Sequence, residues 1–189
     1  MRRLRAGEAS GPPDERRSPR LETGRLLLRP FREDDIDELF EILGDAGTMR
    51  FYPAPFTREE TETWIRNNLD RYERDGFALW AIEDRPTREL LGDCGLVRTT
   101  WLDDIDEVEV GWHVKRSRWG QGIATEAGAA WRDRAFGELG LERIISLIRP
   151  ENIQSRRVAE KIGMSVEKET AFGPQGWRHF VYAVRRWPA

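Results

Sequence analysis

The chain is poor in cysteine and contains no long hydrophobic run. Among its 189 residues Cys94 is the single cysteine, which excludes an internal disulfide and suits a reducing compartment. No apolar segment is long enough to span a bilayer, and the arginines near the N-terminus are not followed by the hydrophobic stretch of a signal peptide. The sequence therefore predicts a cytoplasmic protein that does not act at a membrane.

The main part of the chain also lacks an excess of positive charge. The first twenty residues hold six arginines against three acidic residues, together with Gly11, Pro12, Pro13 and Pro19. This composition predicts a flexible tail at 1–20, followed by one domain at 21–189. Because the whole chain has a net charge of −3, the domain itself is acidic, which argues against a nucleic-acid-binding surface.

Segments with helix and strand patterns alternate along this domain. Thr57 and Glu60 form a capping box for a helix that reaches about Arg74, and no internal repeat is visible. The order predicts one α+β domain with a mixed, mostly antiparallel sheet. Predicted strands lie at 25–31, 76–83, 89–98, 107–114, 143–149, 165–170 and 177–184, and the other predicted helices lie near 34–43, before 137 and at 152–163.

A glycine-rich segment, 118–127, is the most informative part of the sequence. It follows the alternating strand at 107–114 and opens a helix that reaches about Gly137. Unpaired N–H groups at a helix N-terminus, together with the helix dipole, form a site for a phosphate anion. Gly120 and Gly122 supply the positive φ and the missing Cβ that close approach of a diphosphate requires.

Three kinds of phosphate loop are candidates for this segment. A Walker loop needs Lys and then Ser or Thr where this chain has Ile123 and Ala124, and a dinucleotide fingerprint needs a third glycine or alanine where it has Thr125. The segment 119–124 resembles the third kind, the Q/R-x-x-G-x-G/A loop of the GNAT-type N-acetyltransferases, except that Trp119 replaces the Gln or Arg. With tryptophan at this position, the segment resembles the branch of the family that acetylates the N-termini of ribosomal proteins. An ordinary glycine-rich turn before a helix is the alternative interpretation.

A second motif follows the predicted strand at 143–149. Asn152 is a good helix N-cap and Gly163 a good stop, and the string N-x-x-S-x-R-V-A-E-K-I-G-M beginning at Asn152 closely resembles the second signature of the same superfamily. The resemblance extends from Leu21 to about Arg186. It implies a GNAT-like domain of about seven strands, with splayed central strands and about four flanking helices, that uses acetyl-coenzyme A and no metal.

The resemblance also implies the cofactor-binding residues. In such enzymes the strand at 107–114 splays from its neighbour, and its backbone N–H groups bond to the acyl carbonyl and the pantetheine as an oxyanion hole. The first turn of the helix after the second motif lines the pantetheine arm and the sulfur. The implied set is Trp112, His113, Val114, Trp119, Gly120, Gln121, Gly122, Ile123, Ala124, Thr125, Asn152 and Arg157, with Arg156 a further candidate for the 3′-phosphate.

An acceptor amine is protonated at neutral pH, so a base has to take its proton before or during attack. Glu109 is the first candidate, acting directly or through a water, because it lies beside the expected acyl gap. Glu107 is the second candidate and His113 the third, and a merely solvated strand face is the alternative for all three.

The departing thiolate also needs a proton. Many family members have a tyrosine seven residues after the asparagine, where this chain has Ala159. Ser155 is the candidate substitute, although it is equally suited to satisfying backbone groups in the first helical turn. Asn152 is the third catalytic candidate, as an orienting amide, a helix cap or both.

The function implied by the resemblance is transfer of an acetyl group from acetyl-coenzyme A to a primary amine in a ternary complex. The acceptor is a protein N-terminus or a small amine, and the acidic residues Asp103, Asp104, Asp106, Glu107 and Glu109 favour a cationic one. The aromatic segment 51–56 is expected at the acceptor pocket. A non-catalytic module that binds or senses acyl-coenzyme A is the alternative, and the closing strands are candidates for pairing in a homodimer.

Overall fold

The computed structural model describes residues 19–102 and 105–186, without the side chains of 101 and 102. Most of the predicted tail, as well as Asp103 and Asp104, lies outside the described residues. The strands are β1 (Leu21–Glu22), β2 (Leu26–Arg29), β3 (Leu79–Asp84), β4 (Leu90–Leu102), β5 (Ile105–Val114), β6 (Arg143–Ile148), β7 (Ser165–Phe172) and β8 (Trp177–Arg185). The helices are α1 (Ile36–Leu43), α2 (Arg58–Asp75), α3 (Ile123–Gly137) and α4 (Ile153–Lys161), with short 3-10 turns at Glu33–Asp35 and Arg116–Arg118.

The strands form one sheet in the order β1-β2-β3-β4-β5-β6-β8-β7. Within the described residues β5 and β6 are the one parallel pair, so the predicted mixed, mostly antiparallel α+β sheet is confirmed. The sheet has eight strands rather than about seven. The additional strand is β1, whose two residues pair with the end of β2.

The centre of the sheet opens between β5 and β6. β4 and β5 pair from Thr99 and Glu107 to Gly92 and Val114, whereas β5 and β6 share one bridged pair, Glu109 with Ile145. Beyond that pair the N–H of Leu147 donates to the Glu109 carboxylate at 3.0 Å. A side chain therefore replaces the ladder between these strands, and the strands diverge towards the end of β5.

Two hydrophobic layers cover the two faces of the sheet. On one face α3 and α4 pack over a core that contains Trp80, Trp131 and Ile144, all fully buried. On the other face α1 and α2 pack over a cluster that contains Leu39 and Ile65. The alternation of β5 sends its valines into the first layer, so Glu109 and His113 point into the second.

Two helix starts follow from the local sequence. The capping box of α2 is present, because the Thr57 hydroxyl accepts from the N–H of Glu60 and the Glu60 carboxylate accepts from the N–H of Thr57. α3 begins after Gly122, which has a φ of 80°. None of the described helices is long and apolar enough to cross a membrane.

Candidate active site

The first cleft lies between the end of β5 and the N-termini of α3 and α4. It encloses about 430 Å³. Gly120 and Gly122 both have positive φ, 76° and 80°, so the backbone makes a tight turn without side chains beside the first N–H groups of α3. The predicted loop residues that line this cleft are Trp119, Gly120, Gly122, Ile123, Ala124 and Thr125; Gln121 does not line it.

Two tethers hold this loop to the rest of the domain. The indole N–H of Trp119 donates to the carbonyl of Val114 at 2.7 Å, which fixes the loop to the end of β5. The guanidinium of Arg25 donates to the carbonyl of Gln121 at 3.1 Å and to the carboxylate of Glu126 at 2.7 Å. Gln121 thus helps to hold the loop through its backbone carbonyl, and the Trp119 side chain holds it through a hydrogen bond to Val114.

The charges around the first cleft have one sign. Its lining includes Arg50, Arg118, Arg157 and Lys161, and no carboxylate among the described residues. Arg156 points elsewhere, because it donates to the Tyr182 hydroxyl at 3.2 Å. Helix N–H groups and cations around one cavity are suited to an anion with several phosphates.

A second cleft, of about 410 Å³, lies on the face covered by α2. Arg71, Arg149 and His179 line it, and Glu109 is the one carboxylate among its described lining residues. The Arg149 guanidinium stacks over the Trp177 ring at 4.2 Å. The aromatic lining, which includes the predicted segment 51–56, consists of Phe51, Tyr52, Phe56, Trp64, Trp112, Phe172 and Trp177.

The two clefts meet where β5 and β6 part. Residues that line both are Phe51, Tyr52, Trp112, His113, Asn152 and Ser155. A group bound in the first cleft and a group bound in the second can therefore approach each other at this junction. We call this meeting point of the two clefts the junction.

Glu109 lies in the second cleft beside the junction. Burial raises the pKa of its carboxyl from the usual 4.5 to about 7, although the N–H bond from Leu147 opposes this shift. A carboxyl of this kind exchanges a proton at neutral pH. Glu107 differs, because its carboxylate is paired with Arg143 at 2.9 Å and does not line the cleft.

The backbone of β5 presents two amides to the gap. The N–H of His113 donates to the Asp93 carboxylate at 3.1 Å, and the N–H of Lys115 donates to the carbonyl of Leu91, so both face β4. Successive N–H groups of a strand point to opposite edges. Trp112 and Val114 therefore direct their N–H groups towards the gap, and the expectation that the His113 amide is a donor to the acyl group is wrong.

The first turn of α4 contributes two polar side chains to the junction. The Asn152 side-chain oxygen accepts from the N–H of Ser155 at 3.1 Å, so the predicted helix cap is present. Ala159 is fully buried in the core under α4. A tyrosine at this position would have to enter the core, so the missing family tyrosine has no place in this packing.

The sequence interpretation missed Asp93 and Trp64, which belong to the hydrogen-bond network of His113. The His113 ring bonds to the Asp93 carboxylate through Nδ1 and to the Tyr52 hydroxyl through Nε2, each at 2.7 Å. The Trp64 indole N–H donates to the second oxygen of Asp93 at 2.9 Å. The available signal was a charged residue, Asp93, within the apolar run of a predicted strand.

The splayed sheet and the two meeting clefts define the class of this protein. One cleft has the cationic, N–H-rich lining that a phosphorylated carrier needs, and the other is an aromatic pocket with a carboxyl that titrates near neutrality. These are the features of an acyltransferase that uses an acyl-coenzyme A.

The chain belongs to the GNAT acetyltransferases, because residues 25–165 match the family model described as Acetyltransferase (GNAT) domain. YnaD of Bacillus subtilis, an N-acetyltransferase that is itself uncharacterized, is 30% identical over 172 residues, which cover 87% of this chain and 95% of YnaD. The enzyme class is thus an acyl-coenzyme A-dependent N-acetyltransferase.

Solved structures agree with this assignment. The crystal structure of a GNAT-family acetyltransferase from Bacillus anthracis is 28% identical, with a TM-score of 0.77, and the match covers 88% of this chain and 98% of that one. RimL, a ribosomal L7/L12 alpha-N-protein acetyltransferase in complex with coenzyme A, shares the fold at 17% identity, with a TM-score of 0.72 over 88% of this chain and 98% of that one. The GNAT resemblance is confirmed, and the structural neighbours include a ribosomal-protein acetyltransferase.

Proposed function

We propose that the enzyme transfers an acetyl group from acetyl-coenzyme A to a primary amine by direct attack in a ternary complex. The observation that carries this proposal is the junction of the two clefts at the gap between β5 and β6. A thioester entering from the first cleft and an amine entering from the second meet there without a covalent enzyme intermediate.

The first cleft is suited to hold the coenzyme. The N–H groups at the start of α3 face the diphosphate, and Arg157 together with the other cations of the lining neutralises the phosphates. The pantetheine follows the gap, where the Trp112 and Val114 amides donate to its amides and to the acyl oxygen. These fixed dipoles stabilise the negative charge that develops on that oxygen during attack.

The second cleft supplies the base. The Glu109 carboxylate takes a proton from the ammonium form of the acceptor, directly or through a water, because its raised pKa lies close to the operating pH. Asn152 orients the groups at the junction through the amide N–H₂ that its capping bond leaves free. Ser155 lines the junction as well, within reach of the departing group.

The lining of the second cleft narrows the acceptor. Its walls are aromatic, and Arg71 and Arg149 accompany the Glu109 carboxylate. A primary amine with an apolar or aromatic neighbour, in a peptide N-terminus or a small molecule, suits this lining. Glu107 and Asp106, which the sequence assigned to attracting a cation, pair instead with Arg143 and Arg98.

The test is release of free coenzyme A thiol from acetyl-coenzyme A with a panel of peptides and small amines. We expect release that depends on the acceptor, together with an acetylated product seen by mass spectrometry. Tight binding of acetyl-coenzyme A, with no acceptor-dependent thiol across the panel, would instead indicate a module that binds the coenzyme without turnover.

A further inference from the structure

A hydrogen-bonded chain of three side chains runs from the interior of the sheet to the junction. It consists of Asp93 on β4, His113 on β5 and Tyr52 in the loop between α1 and α2, with 2.7 Å at both bonds. Asp93 is fully buried, His113 is 8% exposed and Tyr52 is 42% exposed. The hydrogen-bonded series therefore begins at a side chain without solvent contact and ends at a side chain exposed in the clefts.

The direction of these hydrogen bonds follows from the partners of Asp93. Its two oxygens accept from the His113 backbone N–H and from the Trp64 indole N–H, groups that can only donate. Asp93 is therefore surrounded by donors, and we assign the ring proton to Nδ1 of His113, which donates it to this carboxylate. In a neutral ring Nε2 is then an acceptor, so the Tyr52 hydroxyl donates to it and keeps its oxygen lone pairs for the clefts.

We propose that Tyr52 is a catalytic residue that passes a proton from the attacking nitrogen to the departing sulfur, with His113 as the temporary proton store and Asp93 as the positioning residue. This inference rests on the acetyl transfer proposed above. It supplies the proton path that Ala159 cannot provide.

The proton balance uses two protons of the acceptor ammonium. Glu109 takes the first and gives it to solvent, which frees the nitrogen lone pair for attack on the thioester carbon. As the N–C bond forms, the Tyr52 oxygen takes the second proton while its own hydroxyl proton moves to Nε2 of His113. As the C–S bond breaks, the same path runs backwards and the proton ends on the sulfur, which gives amide and free thiol.

The composition of the junction leaves Tyr52 as the best-placed group. Among the described residues that line both clefts, Tyr52 and Ser155 carry hydroxyls, and Tyr52 is the one bonded to a base. Although 42% of Tyr52 is exposed, its hydroxyl is turned onto His113, and burial there, followed by the charges of Asp93 and Glu109, raises the pKa of Tyr52 above its ordinary value. The phenol therefore holds its proton at rest, and it stays neutral during transfer because one proton arrives as the other leaves.

The kinetic experiment compares Tyr52→Phe with Tyr72→Phe, measured with whichever acceptor the amine panel provides. Tyr72 is partly buried, packs against Trp80 and lines neither cleft. We expect Tyr52→Phe to lower kcat by about 10²–10⁴-fold, the usual contribution of general acid–base groups, with the KM for acetyl-coenzyme A unchanged. Asp93→Asn should lower kcat in the same way, whereas Tyr72→Phe should match wild type. A kcat for Tyr52→Phe equal to that of wild type would overturn the relay.

A second readout does not need turnover. The chain has two histidines, His113 and His179, so ¹⁵N-histidine NMR of wild type and His179→Gln assigns the ring of His113. We expect a neutral His113 with the proton on Nδ1, and a change in its Nε2 signal in Tyr52→Phe. A proton on Nε2 in wild type overturns the relay. Failure of the proposed function looks different, because wild type would then release no thiol with any amine.

Discussion

At the scale of single residues, environment rather than residue type distinguishes two carboxylates of β5. Glu107 and Glu109 lie on the same face of β5, two positions apart. Glu107 forms an ion pair with Arg143. Glu109 has no cationic partner within ion-pair distance among the described residues, and burial shifts its pKa to about 7. The sequence could rank these two residues but could not show this difference.

The first prediction at this scale concerns Glu109→Gln. The amide keeps the shape of the carboxyl but cannot accept a proton, so we expect kcat/KM to fall by about 10²–10⁴-fold. The ascending limb of the pH profile near 7 should also disappear. Steady-state rates between pH 5.5 and 9 check this, with Glu107→Gln as the control that should retain the limb. An unchanged rate and profile for Glu109→Gln would remove Glu109 from the role of base.

The same variant has a readout in stability. Because the pKa of Glu109 is raised in the folded state, the folded protein holds this proton more tightly than the unfolded chain. Wild type therefore loses stability from this group as the pH rises from about 4.5 to about 7, and Glu109→Gln does not. Urea unfolding at pH 5 and pH 8 should show the variant gaining relative to wild type at the higher pH. Equal differences at both pH values would contradict the raised pKa.

The residues of the proposed relay show why part of the candidate site could not be predicted. Asp93 and His113 are opposite each other because β4 and β5 pair in a register that includes an irregularity between Thr99 and Leu102. Tyr52 arrives from a loop about 60 residues away in sequence. Register and loop placement depend on the assembled sheet, whereas the motifs at 119–124 and from Asn152 are local strings that can be recognised directly.

At the scale of elements, the start of α3 is the part that the sequence predicted well. Glycines followed by a helix pattern are a local signal, and Gly122 is the N-cap with positive φ. The burial of Ala159 under α4 is not local, because it depends on how that helix is rotated against the sheet. β1 was missed for another reason: two residues are too short to show alternation.

The second prediction belongs to this helix start. Gly122→Val places a branched side chain where the diphosphate approaches, so we expect the Kd for acetyl-coenzyme A to rise at least about tenfold, or about 1.4 kcal/mol. Gly140→Val is the control, because Gly140 also has a positive φ but lies outside the first cleft; a Cβ at Gly122 would contact the Arg25 guanidinium at 3.5 Å, an ordinary van der Waals distance, and a Cβ at Gly140 would meet nothing within 4 Å. Both variants should lose similar stability, and calorimetry should show weaker binding for Gly122→Val alone. Equal affinities for the two variants would contradict the loop assignment.

At the scale of the whole molecule, positive charge is concentrated in one region although the net charge is negative. The chain has a net charge of −3, yet the described lining of the first cleft is cationic. Composition alone could not locate this patch. The same limit applies to assembly: β7 is an edge strand with Val166 exposed, and pairing of two copies there stays a prediction.

The third prediction follows from this separation of charge. Because the patch attracts an anionic carrier through water, the affinity for acetyl-coenzyme A should fall as the salt concentration rises from 0.05 to 0.5 M. Arg157→Gln should weaken binding at low salt and flatten the dependence. Arg178→Gln, on β8 and paired with Glu169, should leave both unchanged. Binding titrations with acetyl-coenzyme A at four salt concentrations test this prediction. An affinity of the wild type that does not depend on salt would contradict the role of the patch.

The tethers of the glycine loop carry a consequence for how the carrier arrives. Arg25, near the beginning of the domain, and Val114, near its middle, both form hydrogen bonds with the turn before α3. The turn is therefore held in place before any ligand binds, and binding of the proposed coenzyme should require little further ordering of this backbone. A substitution that loosens β1 or β2 should therefore weaken the binding of acetyl-coenzyme A from a distance. It should raise the Kd for the coenzyme and leave the rate of acetyl transfer at saturation unchanged.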